Sequence, residues 1–177
     1  KLMDPHCFRI TRAECGGMPE KVYAFRSVPL SDEQEHYYDR IVDEILIESQ
    51  YGSLTVLNQL SRLLRLQQVT GGFMPSDEGG EGAPLKHGRI TALLDEIEQL
   101  RGAVVIWSRF RNELAAIAAS LREAYGSASV VEYHGSIGDA GRLEAKRAFK
   151  LETAGDYPKV RFFVGNQASG KYGLELS

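Results

Sequence analysis

Three short runs hold the polar groups that could do chemistry in this sequence. Ser108-Arg109-Phe110-Arg111, His134-Gly135-Ser136 and Gly165 to Gly170 (GNQASG) each follow a short apolar, β-rich stretch. Together they offer hydroxyls, guanidinium groups, an imidazole, an amide, and glycines that leave backbone N–H groups accessible. Such a set suits phosphate oxygens, because small residues let the backbone approach and N–H groups at helix starts favour anions. It does not suit hydrolysis unaided: no acid–base pair, no nucleophile beside a histidine and no metal cluster falls here. No catalytic residue and no metal ligand is therefore assigned. His134 reads either as a phosphate contact or as a turn residue.

Other features have a plainer reading. Residues 165–171, GNQASGK, fit G-x-x-x-x-G-K after a strand-like run. A phosphate-binding P-loop next needs Ser or Thr for magnesium, and Tyr172 stands there, with Gly173 ill-suited to the helix that should follow. Leu93-Leu94-Asp95-Glu96 resembles an apolar strand ending in an acidic pair, but it lies on a helix-periodic stretch and reads as two exposed carboxylates. His6, Cys7 and Cys15 lack a fourth ligand at metal spacing, so the cysteines read as free thiols. Trp107, inside an apolar run, is assigned to the core rather than to a base-stacking platform. Arg62 and Arg65 are assigned to a solvated helix face.

The elements that must position these runs can be read from periodicity. Residues 103–107 (AVVIW) form a short, wholly apolar run, as expected of a strand covered on both faces. Leu114, Ile117, Ala118, Leu121 and Tyr125 mark an amphipathic helix. A second strand is expected over 128–133, a helix over 139–151 and a third strand over 160–164. Strand–helix–strand–helix–strand at this spacing predicts a parallel sheet with right-handed crossovers. All three polar runs should then emerge on one edge, at the carboxyl ends of the strands.

Upstream, residues 21–28 (KVYAFRSV) alternate and read as a strand. Ser31-Asp32-Glu33-Gln34 reads as a capping box. The helix behind it places Tyr38, Ile41, Val42, Ile45 and Leu46 on one face, and Gly52 breaks it. A second helix, 54–69, carries Leu57, Leu60 and Leu64 on one stripe. Residues 71–88, with six glycines and two prolines, read as an exposed, mobile loop. A third helix, 88–100, presents Ile90, Leu93, Leu94 and Ile97. No internal repeat is visible.

At 177 residues the chain fits one domain. With 43% hydrophobic and 25% charged residues it belongs with globular folds, not disordered chains. Its apolar runs are far too short to span a bilayer, and no basic stretch leading into an apolar one marks a secretory signal. Two cysteines are too few for a disulfide scaffold and fit a reducing cytoplasm. The chain starts at Lys1 rather than Met and ends inside a patterned run, as an excised piece of a longer protein would. The net charge of −3 argues against a generally basic nucleic-acid binder. It hides an asymmetry: residues 1–100 carry 10 Lys/Arg against 16 Asp/Glu, and residues 101–177 carry 11 against 8. An anionic partner would find its local cation surplus in the C-terminal part.

The same strand ends carry a family resemblance. VVIWSRFRNELAAIAASL resembles motif IV of Swi/Snf-type superfamily-two helicases and translocases. VVEYHGSIGDAGRLEAKRAF is similar to their Y-H-G…R…F motif, and VRFFVGNQASGKYGLELS resembles their motif V. LLRLQQVTGGF and MPEKVYAFRSVPLSDEQ resemble the stretch entering the second RecA-like domain in bacterial and phage members. The resemblance covers most of the chain from about Phe8 onward. It implies an α/β fold, a RecA-like parallel sheet flanked by helices, preceded by a mainly helical N-terminal segment. The boundaries expected are a lead-in at 1–20 and a partial second RecA-like domain at 21–177, with a helical segment at 31–100, a βαβαβ core at 102–164 and the motif V loop at 165–177.

By the same resemblance, the parent is a cytoplasmic, bacterial or phage-encoded DNA-dependent ATPase. ATP and magnesium are held mainly by a first RecA-like domain, and DNA lies across both. Ser108 and Arg109 fall at the end of motif IV, where backbone contacts are expected. His134, Gly135 and Ser136 fall at another phosphate contact. Gln167, Ala168, Ser169 and Gly170 form the motif V loop, with Lys171 standing where a second small residue is common. Gly173 and Glu175 fall where motif V turns towards ATP, Glu175 replacing the usual Asn. The chain stops before motif VI, so its arginine finger is absent and no ATP hydrolysis is expected from this piece alone. The reading set against it is a stand-alone α/β domain binding a nucleotide or another protein, without motor action.

Overall fold

The structure, a computed structural model, describes residues 22–50, 55–74, 82–151, 158–170, 174 and 176. In chain order it contains α1 (Asp32–Gln50), α2 (Val56–Thr70), α3 (Arg89–Gln99), β1 (Val104–Ser108), α4 (Arg111–Tyr125), a short 3-10 turn (Ser127–Ser129), β2 (Val130–Tyr133), α5 (Asp139–Leu151) and β3 (Phe162–Asn166). The three strands form one sheet in the order β1-β3-β2, with both pairings parallel. The predicted α/β architecture is therefore present, and the three strand ends share one edge.

The sheet is buried by its crossovers. Phe162 and Val164 of β3 pack with Leu114, Ile117, Ala118 and Leu121 of α4 and with Ile97 of α3. On the other face, Phe163 packs with Phe149 of α5 and with Val160. The apolar period of α4 lands on the sheet as the sequence predicts. Arg161, 7% exposed, closes the joint between α3 and the sheet. Its guanidinium donates to the carbonyls of Gly102, Ile97 and Leu100 at 3.2, 3.1 and 2.6 Å, placing a cation at the carbonyl-rich end of α3.

The helical segment is held by polar ties around a small core of Ile41, Val69 and Leu85. The capping box forms. The Ser31 N–H donates to Gln34 Oε1 (3.1 Å), and the Gln34 N–H donates to Ser31 Oγ (3.2 Å). Gln34 is buried, and its Nε2 donates to the Val69 carbonyl at 2.8 Å, so one side chain serves the start of α1 and the end of α2. Arg62 pairs with Glu44 across the two helices, where a solvated face was expected.

Several expectations are corrected. Residues 22–30 form no strand; Val22, Tyr23 and Phe25 lie exposed with no pairing partner among the described residues. The third strand begins two residues later than expected, at Phe162. The second begins at Val130, after the 3-10 turn. The glycine-rich stretch is not simply an exposed loop: Phe73 bridges to Pro84, and Gly71, Gly72, Phe73 and Leu85 are buried. Gly72 has φ +91° and lies directly under the His87 ring, where no Cβ would fit. Leu57, Leu60 and Leu64 keep their stripe but point to solvent. Trp107 is 39% exposed rather than core. It lies on the face of β1 opposite α4, at the sheet's edge.

Candidate nucleic-acid interface

The carboxyl edge of the sheet brings together the turns after β1, β2 and β3. The first and third are sewn to each other by Asn166. Its Nδ2 donates to the Arg109 carbonyl at 2.8 Å, and its Oδ1 accepts the Ala168 N–H at 3.0 Å. The Gln167 N–H donates to the Ser108 carbonyl at 3.1 Å. The turn closes with the Ser169 and Gly170 N–H groups donating to the Asn166 carbonyl. Sequence reasoning missed Asn166. The signal was available: an Asx residue ending an apolar strand and leading into small residues favours a side-chain-to-backbone turn.

From the opposite face the turn is covered by Trp107. Its indole lies over Gly165 and Gly170, and a Cβ on Gly165 would come 2.5 Å from the ring. Glycine is required at both positions because the ring fills the space a side chain would take. The turn after β2 adjoins: a Cβ on Gly135 would reach within 3.8 Å of Ser169 Oγ.

The side chains at this edge differ in availability. Arg109, Gly135, Ser136, Gln167 and Ala168 are exposed, and Ser169 and Gly170 are half-buried. Arg109 lies 5.7 Å from the centre of the Phe110 ring, and neither Arg109 nor Arg111 makes an ion pair among the described residues. The acids nearby are matched. Glu113 pairs with Arg89 (2.8 Å), Glu132 with Arg122 (2.6 Å) and Asp139 with Arg142. The edge thus presents the Arg109 and Arg111 cations with its carboxylates already matched, while the N–H groups of Gln167, Ala168, Ser169 and Gly170 donate to acceptors within the edge itself.

Two of the expected contact residues, Ser108 and His134, are turned inward. Ser108 is 2% exposed. Its single hydroxyl proton is shared between Glu113 Oε2 at 2.7 Å and the Phe110 carbonyl at 2.9 Å. It fixes the start of α4 and has no proton for a phosphate. His134 is largely buried, with Nε2 3.5 Å from Glu132 Oε2 and its carbonyl accepting the Ile137 N–H. Its Nδ1 is buried with no hydrogen-bond partner among the described residues. Lys171, Gly173 and Glu175 lie outside the described residues, as do His6, Cys7 and Cys15.

The P-loop-like reading of GNQASGK has no room. Gly165 and Asn166 lie inside β3, paired in register with Trp107 and Ser108 of β1. Only residues 167–170 precede Lys171, and they form the tight turn described above.

A cavity of about 340 Å³ opens beside this edge, between Gly71–Phe73, His87 and the first turns of α4. His87 has its pKa lowered from 6.5, mainly because burial disfavours the charged ring, then by Arg89, with Glu113 opposing. Arg89, also missed from sequence, ties the two halves of the molecule. Its Nη1 donates to the Thr70 carbonyl at 3.0 Å and pairs with Glu113 on α4. Among the described residues no three His, Cys, Asp or Glu side chains group as a metal site, and no helix is long and apolar enough to cross a membrane.

No protein-family model matches the sequence, and no curated protein sequence matches it. Solved structures do match in fold. The Sulfolobus solfataricus SWI2/SNF2 ATPase C-terminal domain superposes with a TM-score of 0.64 at 21% identity, over 84% of this chain and 64% of that one. The SWI2/SNF2 ATPase core domain of the same organism gives 0.63 at 20% identity, over 88% of this chain and 32% of that one. That core in complex with dsDNA gives 0.56 at 20% identity, over 78% and 29%. This chain spans less than two thirds of the length of each. The likeness establishes the fold: a RecA-like α/β sheet with preceding helices.

Proposed function

We propose that this chain is the nucleic-acid-gripping, ATP-cleft-completing half of an ATP-dependent DNA translocase or helicase. The observation that carries the reading is the shared edge. Three strand-end turns, two of them sewn together by Asn166, present the Arg109 cation and the exposed polar side chains of Ser136 and Gln167 where the local acids are already paired. Such an edge grips a phosphate backbone without reading bases. Two further observations support it: the fold is that of a SWI2/SNF2 ATPase C-terminal domain, and one matching structure is that ATPase core with dsDNA.

In this reading Arg109, Gly135, Ser136, Gln167, Ala168, Ser169 and Gly170 face the DNA, with Lys171 beside them. Ser108 and His134 position the turns. Gly173 and Glu175 approach ATP. By the family resemblance, ATP and Mg²⁺ sit mainly on a first RecA-like lobe carrying a complete P-loop and an acidic pair. The chain by itself turns over no ATP.

The test is DNA-stimulated ATP turnover by the chain alone and joined to such a lobe. The expected result is turnover only in the joined protein. Turnover by the chain alone, abolished by Lys171→Ala, would return the P-loop reading. DNA binding by the chain alone should fall steeply with salt, because phosphate contacts release counterions. Arg109→Ala should weaken it about equally across sequences. Nucleotide or protein binding with no DNA affinity would favour a stand-alone binding domain.

A further inference from the structure

The stripe of Leu57, Leu60 and Leu64 on α2 is an apolar pattern that neither the core nor the DNA-gripping edge absorbs. Leu63 adjoins it on the helix, and the four side chains are between 40% and 76% exposed. None of them joins an apolar cluster among the described residues. At about 100° per residue the four span an arc of about 120°, so they form one continuous patch rather than scattered leucines. A buried leucine removes on the order of 100 Å² of apolar surface from water. The patch therefore measures roughly 300–400 Å². A monomer rarely leaves that much contiguous apolar surface uncovered without a binding role.

The flanks of the patch select its occupant. Leu57, Leu60 and Leu64 fall at the a, d and a positions of a heptad, the seam through which helices pack on one another. The e and g positions, where charges set partner choice, hold Ser61, Leu63 and Gln68, none of them charged. Ser61 turns its hydroxyl to the Leu57 carbonyl at 3.0 Å and asks nothing of a partner. Arg62 lies at the f position, away from the seam, and pairs with Glu44 of α1. No like-charge repulsion bars a second copy, and no charge selects a foreign helix. We propose that α2 is a self-association surface, on which a second copy of this chain seats its own α2. The pairing is antiparallel for a steric reason. The body of the molecule lies at the C-terminal end of α2, where Val69 joins Ile41 and Arg89 holds the Thr70 carbonyl. A parallel pair would crowd both bodies at one end, whereas a two-fold axis near Leu60 puts them at opposite ends and closes the contact on itself. That axis sets Leu57 of one copy beside Leu63 and Leu64 of the other. The two patches supply about 600–800 Å² of leucine surface, and the flanking polar side chains bring the interface to the lower bound of about 1,000 Å² for a specific contact. The dimer is therefore weak, forming at about 10–100 μM, and the chain is monomeric at low micromolar concentration.

The test is sedimentation equilibrium of the full chain at concentrations from well below that range to above it. The wild type should pass from monomer to dimer, at low and high salt alike, because the seam carries no charge. Leu60→Lys and Leu60→Glu should each weaken association by about tenfold or more. Mixed in equal amounts, the two variants should associate again, because the two-fold axis sets one position 60 against the other. Leu143→Lys, at a leucine of α5 that is exposed to a similar degree, should keep the wild-type association. Circular dichroism checks that each variant folds. A wild type that stays monomeric throughout overturns the proposal and leaves the patch to a different partner. A dimer that survives both Leu60 substitutions, or that Leu143→Lys weakens equally, overturns it by placing the contact elsewhere or making it non-specific. A mixture that fails to associate overturns the two-fold pairing of α2 with α2. The DNA-gripping reading stands or falls separately from each of these results.

Discussion

Leu121 and Leu60 both sit on helical stripes that the sequence marks as apolar, yet Leu121 is fully buried and Leu60 is 60% exposed. The two residues stand for two halves of the molecule. In the sheet half, the crossover from β1 to the parallel β2 carries α4 over β3, so its stripe lies across the strands. In the helical half, α2 meets α1 through its C-terminal end, where Val69 and the partly buried Leu66 join Ile41. The N-terminal half of α2 runs on with Leu57 and Leu60 in solvent. Periodicity states which residues share a face; topology decides whether anything covers it.

The largest expected effect breaks or keeps that contrast directly. Leu121→Ala should destabilise the chain by about 2–5 kcal/mol, the usual range for emptying a packed leucine site. Leu60→Ala should change stability by no more than about 0.5 kcal/mol. Urea titration followed by circular dichroism measures both. Similar losses in the two variants would mean that the α2 stripe is buried in solution and that the halves do not differ.

The next effect probes the open face of the sheet. Gly165→Ala forces a methyl group into the Trp107 ring and should cost about 1–3 kcal/mol, as overpacking does. Adding Trp107→Ala should give part of that back, so the double variant is more stable than the two single losses predict, by about 0.5–3 kcal/mol. Strict additivity would show that the ring does not rest on Gly165. In the helical half the corresponding weak point is polar. Gln34→Leu removes both the capping contact and the tie to Val69, and should cost about 1–2 kcal/mol.

These cases show what was legible. The parallel core could be read because each of its elements has its own pattern: alternating length, a β-rich run, then a helix with a single apolar face. The shared edge followed from topology alone. The strand at 21–28 was misread because alternation cannot say whether a neighbouring strand exists to pair with. Trp107 was misread because β1 lies at the sheet's edge, and its position in the strand order is invisible in a short apolar run. Arg89 and Arg161 were missed for one reason: each acts on groups 19 to 64 residues away in sequence, whereas Asn166 also carried a local signal in its bond to the Ala168 N–H. Arg161 in particular sits inside VRFFV as though it were an ordinary strand residue. The Ser31–Gln34 box was legible because its partners are three residues apart, but the long-range half of Gln34's work was not.

The smallest effect lies at the seam between the halves. His87 covers Gly72 in the helical half and faces Glu113 of α4 across Arg89. Burial and the neighbouring Arg89 hold its pKa below 6.5, and Glu113 offsets them only in part. Between the folded and unfolded pKa values the unfolded chain therefore binds more protons at this site. Stability rises with pH wherever that is so. The contribution of neutral His87 is complete above about pH 6.5, declines as pH falls below it, and levels off under the folded pKa. Because the ring is only half-buried, solvent screening keeps the effect small. His87→Gln should flatten this part of the urea midpoint against pH while leaving Gly72 covered by a side chain of similar reach. A variant that loses stability below about pH 6.5 as steeply as the wild type would move the acid sensitivity away from the seam. The two halves would then be joined by Arg89 and its partners alone.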